Sequence, residues 1–141
     1  MRIVLSSDHA GVEYRLAIKA HLLQRNHQVI DVGPMTTEPI DYPDVIRPAV
    51  QQVAIGACDG GIILGGSGNG EAIVANKVPG IRCAVCWNEY TAGMAKKHNN
   101  ANVISLGQRT IDLSLALKIV DTWMSEKFEG GRHQARIDKI E

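Results

Sequence analysis

Short apolar runs rich in β-branched residues alternate with longer amphipathic stretches along the chain. The runs have the length of strands, and apolar positions recur at helical spacing in the stretches between them. The pattern predicts five strands, at residues 2–7, 27–32, 59–64, 82–87 and 102–106. It predicts helices at residues 12–26, 43–56, 71–77, 89–98 and 112–127, followed by a polar, basic tail over about 128–141.

Regular alternation of strands and helices indicates right-handed crossovers and a mostly parallel sheet. The strands are continuous apolar runs, which is typical of a sheet covered by helices on both faces. The length of 141 residues suits one domain. We therefore expect a single domain over residues 1–141, with a three-layer α/β/α, Rossmann-like fold and a five-stranded parallel sheet.

Composition narrows the class of protein. Aromatic residues make up only 4% of the chain, so the core must be built from Val, Ile, Leu and Ala. Fifteen basic residues balance fifteen acidic ones, which does not favour a nucleic-acid or membrane-surface partner. No apolar stretch approaches the roughly 18 residues of a membrane span, and the three cysteines do not form a disulfide framework. No signal peptide is recognisable, and we predict a cytoplasmic protein.

Polar residues follow several strands of the predicted sheet. In an open parallel sheet, ligands bind beyond the carboxyl ends of the strands. Asp8 and His9 follow the first strand, a glycine-rich loop over 65–70 follows the third, and Gly107-Gln108-Arg109 follows the fifth. We expect these groups to converge on one edge of the sheet.

The loop over 65–70 has four glycines in six positions, so its backbone N–H groups could approach an anion closely. It lacks the Lys-Ser/Thr of a Walker loop, and its spacing does not fit a dinucleotide fingerprint. The charge of the following Glu71 would repel a bound phosphate, whereas loop amides would stabilise an oxyanion while Glu71 moves a proton. A tight turn with a carboxylate at a helix N-terminus is the structural alternative.

Other candidates have comparable structural alternatives. Asp8 and His9 could belong to a capped turn, and His98 could complement a helix dipole. Arg109 follows a glycine at a strand end, which suits contact with an oxyanion or phosphate. Arg132 and Arg136 lie one helical turn apart and would share a face, either solvated or binding. The tail carrying them has few apolar residues and is a candidate for docking on another subunit.

The three cysteines and two of the histidines, His21 and His27, are interpreted as structural. Cys83 and Cys86 lie three positions apart on a strand, so they should point to opposite faces and cannot hold one metal ion. Cys58, His21 and His27 lie on element ends or helix faces. We predict no metal site.

Seven short motifs occur together in this chain. They are Ser-Asp-His-Ala-Gly at 7–11, Asp-Tyr-Pro at 41–43, Gly-Gly-Ser-Gly-Asn-Gly-Glu at 65–71, Ala-Asn-Lys at 75–77, His-Asn-Asn at 98–100, Gly-Gln-Arg at 107–109 and Gly-Gly-Arg-His-Gln at 130–134. In this order they resemble the type B ribose-5-phosphate isomerase family, which also contains the galactose-6-phosphate isomerase subunits. The resemblance covers nearly the whole chain.

The resemblance implies an aldose–ketose isomerase that acts on a phosphorylated sugar without a metal ion or other cofactor. A histidine matching His98 helps to open the furanose ring, and a base then moves a proton between C1 and C2 through a cis-enediolate. Many members have a cysteine base at the position of Gly65. This chain resembles instead the subgroup whose base is a glutamate, matching Glu71, with a loop serine matching Ser67 beside it.

The resemblance also implies a set of binding residues and a homodimer that shares each site, with a tetramer as a further possibility. Substrate contacts match Asp8, His9, Tyr42, Gly66, Ser67, Gly68, Asn69, Gly70 and Asn99. Phosphate contacts match His9, Arg109, Arg132 and Arg136.

Two alternatives to a ribose 5-phosphate isomerase remain open from the sequence. One is an isomerase of another sugar phosphate, such as galactose 6-phosphate or allose 6-phosphate. The other is a non-catalytic module that binds sugar phosphates, which would need the glycine loop and the arginines but neither Glu71 nor His98.

Overall fold

A computed structural model describes residues 1–141 as one parallel sheet covered by helices on both faces. The strands are β1 Arg2–Ser7, β2 Gln28–Asp31, β3 Gly60–Gly65, β4 Cys83–Val85 and β5 Val103–Gly107. The helices are α1 Val12–Gln24, α2 Tyr42–Ala54, α3 Asn69–Asn76, α4 Glu89–Asn99, α5 Leu113–Ser125 and α6 Arg132–Ile137, with a 3-10 turn at His9–Gly11. The predicted α/β/α fold is confirmed.

Each strand contributes side chains to two separate cores, because successive residues of a strand point to opposite faces. Ile3 and Leu5 of β1 pack beneath α1, α4 and α5, whereas Val4 packs beneath α2 and α3. Trp123 is the largest fully buried side chain, and its indole N–H donates to the carbonyl of Ala101 at 3.0 Å. The two cores hold the sheet rigid, so the loops at its edges are well supported.

The strand order is β2-β1-β3-β5-β4. The chain moves from β1 to β2 on one side and then returns across β1 to place β3 on its other side. The loops after β1 and β3 therefore leave the sheet in opposite directions and open a crevice, which is where doubly wound proteins bind ligands.

Each helix carries the chain back from the carboxyl edge of the sheet to its amino edge, because all the strands are parallel. Helix α4 starts after β4 and ends just before β5. Its 11 residues span roughly 16 Å at the usual helical rise. Residues at the end of α4 therefore lie at the opposite edge of the sheet from the crevice.

Three elements differ most from the prediction. Strand β4 is only three residues long, and α3 begins at Asn69, because the last residues of the glycine loop already form a helical turn. The tail also contains the short helix α6, whose His133 and Ile137 are buried and which packs against α4. Two buried positions are too few to produce a recognisable helical period. Docking of the tail on a partner stays a prediction.

Candidate active site

A cleft of about 380 Å³ lies at the carboxyl edge, beyond β1, β3 and β5 and next to the start of α2. The residues that line it are Asp8, Tyr42, Gly66, Ser67, Gly70, Glu71, Arg109 and Thr110. The structure thus brings together polar groups from four separate parts of the sequence. Thr110 was not singled out from the sequence, although its position directly after Arg109 is the signal that would have found it.

Glu71 is an acidic residue of the cleft whose pKa is raised by its surroundings. It lies in the first turn of α3, and the residue is only 4% exposed. Burial raises the pKa of its carboxyl group, and the negative charge of Asp8 raises it further, while its own backbone amide acts in the opposite direction. A carboxylate whose pKa lies closer to neutral pH accepts a proton more readily, so Glu71 suits the role of a general base.

The Glu71 carboxylate lies against the backbone of Gly65, the last residue of β3. A Cβ atom at position 65 would overlap both carboxylate oxygens of Glu71. The carboxylate therefore occupies the space that a side chain at position 65 would fill. In the resemblance described above, that position carries the cysteine base of other members, and a side chain there would displace the Glu71 carboxylate of this chain from its present position.

Hydrogen bonds hold the glycine loop against the end of β5. The backbone N–H groups of Gln108 and Arg109 donate to the carbonyls of Gly65 and Gly66 at 2.9 and 3.0 Å. The buried Ser105 hydroxyl donates to the carbonyl of Gly68 at 2.7 Å. These bonds satisfy carbonyls on the sheet side of the loop, so its geometry does not depend on a ligand.

The exposed side of the loop carries three of the candidate side chains. The Ser67 hydroxyl accepts a hydrogen bond from the Asn69 backbone N–H at 3.3 Å. The ring of Tyr42, at the start of α2, packs so closely on Gly70 that a Cβ there would lie 2.7 Å from Cζ. The guanidinium of Arg109 lies over Gly66. The arrangement combines backbone N–H groups, a hydroxyl and a cation around one space.

Asp8 lines the cleft, and His9 follows it directly in the chain. The Asp8 carboxylate accepts a hydrogen bond from the Ala10 backbone N–H at 2.8 Å, so the capping role considered from the sequence is real, and Asp8 lines the cleft as well. His9 Nδ1 accepts a hydrogen bond from Ile40 N at 3.3 Å. A neutral His9 therefore carries its proton on Nε2 and presents a donor.

His9, Gly68 and Asn69 do not line the cleft but adjoin residues that do, whereas four other candidate residues lie away from it within one chain. His98 and Asn99 end α4 at the amino edge, where the Asn99 carbonyl accepts a hydrogen bond from Arg82 at 3.0 Å. Arg132 and Arg136 are exposed on α6, which packs against α4. The sequence already contained the signal for this separation, because a residue at the end of a crossover helix must lie at the amino edge of a parallel sheet.

His98 lies in a small cluster with Glu129 and His133. The two imidazole rings are stacked, with centroids 4.2 Å apart and planes 10° from parallel. A Glu129 carboxylate oxygen lies 3.5 Å from His133 Nε2 and 3.9 Å from His98 Nε2. Histidine and glutamate are metal-ligating residue types. A metal ion lies in the plane of each imidazole that binds it, however, and the planes of two stacked rings do not meet near the cluster. The cluster as it stands is not a chelating site.

The cysteines are placed as the sequence predicted. Cys86 belongs to the core beneath α4 and α5, whereas Cys83 packs against the core on the other face of the sheet. Burial raises the pKa of both thiols, so neither is a ready nucleophile. The backbone of Cys83 instead exchanges two hydrogen bonds with the Asn76 side chain, at 2.8 and 2.9 Å.

The fold and the cleft define an α/β protein with a polar cleft at the crevice between β1 and β3, lined by a buried glutamate. A family model described as Ribose/Galactose Isomerase matches residues 3–140, and the chain belongs to this family. The predicted membership is confirmed. No helix is long and apolar enough to cross a membrane, while the cytoplasmic location stays a prediction.

Individual relatives agree with this membership. Ribose-5-phosphate isomerase B of Escherichia coli (strain K12) is 42% identical over 139 residues, covering 99% of this chain and 93% of the relative. The structure of Clostridium thermocellum ribose-5-phosphate isomerase B is 48% identical, with a TM-score of 0.98 over 99% of this chain and 95% of that one. Ribose-5-phosphate isomerase B from Mycoplasma genitalium with bound ribulose-5-phosphate is 40% identical, with a TM-score of 0.95 over 99% and 93%.

Proposed function

We infer that the protein is an aldose–ketose isomerase that interconverts ribose 5-phosphate and ribulose 5-phosphate. The single observation that carries this assignment is the buried Glu71 carboxylate with its raised pKa, which faces a loop of backbone amides at the crevice of the sheet. A module that only binds sugar phosphates has no need of a buried base. The relatives named above carry the same activity in their names.

The proton transfer follows from the residues of the cleft. In the open-chain aldose, Glu71 takes the proton from C2, the C1 oxygen becomes negative, and a cis-enediolate forms. Glu71 then returns the proton to C1 while the C2 oxygen becomes the carbonyl. Amides of the loop over 66–70 stabilise the negative oxygen, and the Ser67 hydroxyl beside it is suited to move the remaining proton between O2 and O1.

The remaining residues serve ring opening and binding. We propose that His98 exchanges a proton with the furanose ring oxygen and so opens the ring, with Asn99 beside it. Asp8 and Tyr42 contact the sugar hydroxyls. Basic side chains bind the phosphate away from the negative charge of Glu71, and these are His9, Arg109, Arg132 and Arg136.

One chain cannot supply all these groups, and we propose that a homodimer does. His98 and Arg132 lie at the amino edge, roughly one helix length from Glu71 at the carboxyl edge. Three large apolar side chains beside the edge strand β4 are exposed to solvent, with exposed fractions of 63% for Ile73, 57% for Trp87 and 72% for Tyr90. Such a patch is suited to an interface with a second copy. A second copy seated there would bring its amino-edge groups to this cleft. Pairing of dimers into a tetramer stays a prediction.

The assignment is tested on the purified chain with a panel of sugar phosphates. We expect conversion of ribose 5-phosphate in the presence of a chelator, and much slower conversion of galactose 6-phosphate and allose 6-phosphate. Incubation in D₂O should also place deuterium on C1 of ribulose 5-phosphate. Binding of ribose 5-phosphate without isomerisation or exchange would identify a non-catalytic module instead.

A further inference from the structure

The cluster of His98, Glu129 and His133 is not explained by the chemistry described so far. We infer that His133, supported by Glu129, is a positioning residue that fixes the His98 imidazole relative to the phosphate-binding arginines. This inference rests on the proposed function, because it assigns a task to the surroundings of the ring-opening histidine. Neither His133 nor Glu129 needs to touch the sugar.

The stacked rings differ greatly in exposure. The side chain of His133 is only 6% exposed, whereas that of His98 is 38% exposed. His133 is thus a fixed part of the α6 interface, and the more exposed His98 ring lies against its face. Contact at 4.2 Å between parallel rings restricts the rotation of His98 about its side-chain bonds.

The chain between α5 and α6 is attached to the same turn of α4. The backbone N–H of Glu129 donates to the carbonyl of Lys97 at 3.0 Å. The Lys97 ammonium group forms an ion pair with Glu126 at 3.1 Å. Together with the ring stack, these contacts join residues 126–133 to the end of α4 at three points, so the two segments behave as one body.

His133 also lies next to the arginines in the sequence of α6. Arg132 precedes it directly, and Arg136 follows three residues later, so all three lie within about one helical turn. Burial of His133 fixes the rotation of α6 and therefore the direction in which both arginines leave it. The ring stack thus sets the spacing between the group that opens the sugar ring and the groups that hold its phosphate. An error of about 1 Å in such a spacing can cost about a hundredfold in rate.

The charges around the cluster are consistent with this division of roles. Burial lowers the pKa of His133, and the neighbouring charges of His98, Arg132 and Arg136 lower it further, while Glu129 acts in the opposite direction. A neutral His133 adds no positive charge beside His98. The Glu129 carboxylate lies near the Nε2 atoms of both rings.

Two reactions of the same enzyme distinguish a positioning role of His133 from a general disturbance of the structure. Ribose 5-phosphate is mainly a closed furanose and must be opened before isomerisation. Ribulose 5-phosphate carries its phosphate on O5, so it cannot close to a furanose and needs no ring opening. Exchange of its C1 hydrogen with D₂O, followed by NMR, reports only the step at Glu71.

The test compares His133→Ala, His133→Phe and a control, His21→Ala, which removes another partly buried histidine paired with an acid at 2.7 Å. We expect His133→Ala to lower kcat for ribose 5-phosphate about tenfold or more and C1 exchange by less than about threefold. His133→Phe retains a stacked ring and should recover most of the loss. His21→Ala should leave both rates unchanged. Should His133→Ala not fold, the exposed Glu129→Ala should show the same asymmetry more weakly.

The inference is overturned if both reactions fall equally in His133→Ala, if neither falls, or if His133→Phe is as impaired as His133→Ala. Failure of the proposed function has a different appearance. In that case the unmodified protein catalyses neither isomerisation nor exchange. An active unmodified protein with an equal loss in both reactions refutes the positioning role alone.

Discussion

The Glu71 carboxylate fills the space that a side chain at position 65 would occupy. The position of the proposed base therefore depends on Gly65. The carboxylate is buried against a residue that has no side chain, next to a second carboxylate on Asp8. Burial and a like charge both favour the protonated acid, so ionisation of Glu71 costs the folded protein stability. An active site often carries such a local cost to stability.

Glu71→Gln should lower kcat about a thousandfold with little change in substrate binding, since the amide cannot accept the proton from carbon. It should also raise Tm at pH 7. The pKa of Glu71 is higher in the folded than in the unfolded chain, so the folded state is stabilised below the ordinary glutamate range and loses this stability as pH rises through the raised pKa.

Thermal unfolding at pH 4 and pH 7 checks the second part of this prediction. The advantage of the variant should shrink towards pH 4, because Glu71 becomes increasingly protonated in the unfolded chain as well. Glu89→Gln is a matched control, because Glu89 also lies in the first turn of a helix but is exposed. A Tm advantage that does not depend on pH would contradict the assigned cause.

The same raised pKa predicts the acid limb of activity. Because Glu71 must be ionised to act as a base, kcat/KM should rise with pH through a pKa above the ordinary glutamate range. Asp8→Asn removes one of the charges that raise this pKa. The Asp8→Asn variant should be less active, and the acid limb of its pH profile should lie at lower pH. The measurement is the pH dependence of kcat/KM. An acid limb at the same pH as in the unmodified protein would mean that another group controls it.

Gly65→Ala should abolish most of the activity, by about a hundredfold or more, because the new methyl group displaces the Glu71 carboxylate. The fold should persist, as judged by circular dichroism. Gly93→Ala in α4 is the control: a Cβ there has its nearest neighbour at 3.7 Å, so alanine should leave activity unchanged and stabilise the helix by about 0.5–1 kcal/mol. Full activity of Gly65→Ala would show that the carboxylate can act from elsewhere.

At the scale of elements, sequence periodicity was sufficient for the long helices and the central strands. The five strands and the helices α1 to α5 form where apolar spacing and turn residues predicted them. Helix α6 was missed because its six residues include only two buried ones, and its position depends on contact with α4. Strand order depends on how the helices pack between layers, and no local pattern reports it.

The candidate site shows the same limit. Motifs after β1, β3 and β5 identified most of the cleft residues, because the carboxyl ends of parallel strands always share an edge. The grouping of His98 with Glu129 and His133 was not found, since it joins two elements whose contact is not encoded locally. The spacing of Glu129 and His133 by four residues was the only local sign of it.

Helix α6 is expected to serve binding more than catalysis. Arg132→Ala and Arg136→Ala should each raise KM for ribose 5-phosphate about tenfold or more, with a smaller effect on kcat, since each removes a charge-assisted contact with phosphate. Lys139→Ala, in the same exposed tail, is the control and should have normal steady-state kinetics. An unchanged KM in both arginine variants would indicate that α6 presents only a solvated face.

At the scale of the whole molecule, the two groups of candidate residues lie at opposite edges of one sheet. A mixture of Glu71→Gln and His98→Ala chains tests whether sites form between copies. Each variant alone should be inactive. After joint refolding, half of the dimers are hybrids and one of the two sites in each is intact, so about a quarter of the normal rate should return. No recovery, with hybrid formation shown by native mass spectrometry, would place each site within one chain.

The proposed division of each site between two copies would also make activity depend on protein concentration. A single chain would then hold half of each of two sites and have no activity of its own, so the specific activity of a dilute solution would report the fraction of chains that have met a partner. Substrate that bridges the two copies would bind the pair and not the single chain. The sugar phosphate would therefore draw the subunits together, and the enzyme would assemble most completely where its substrate is abundant.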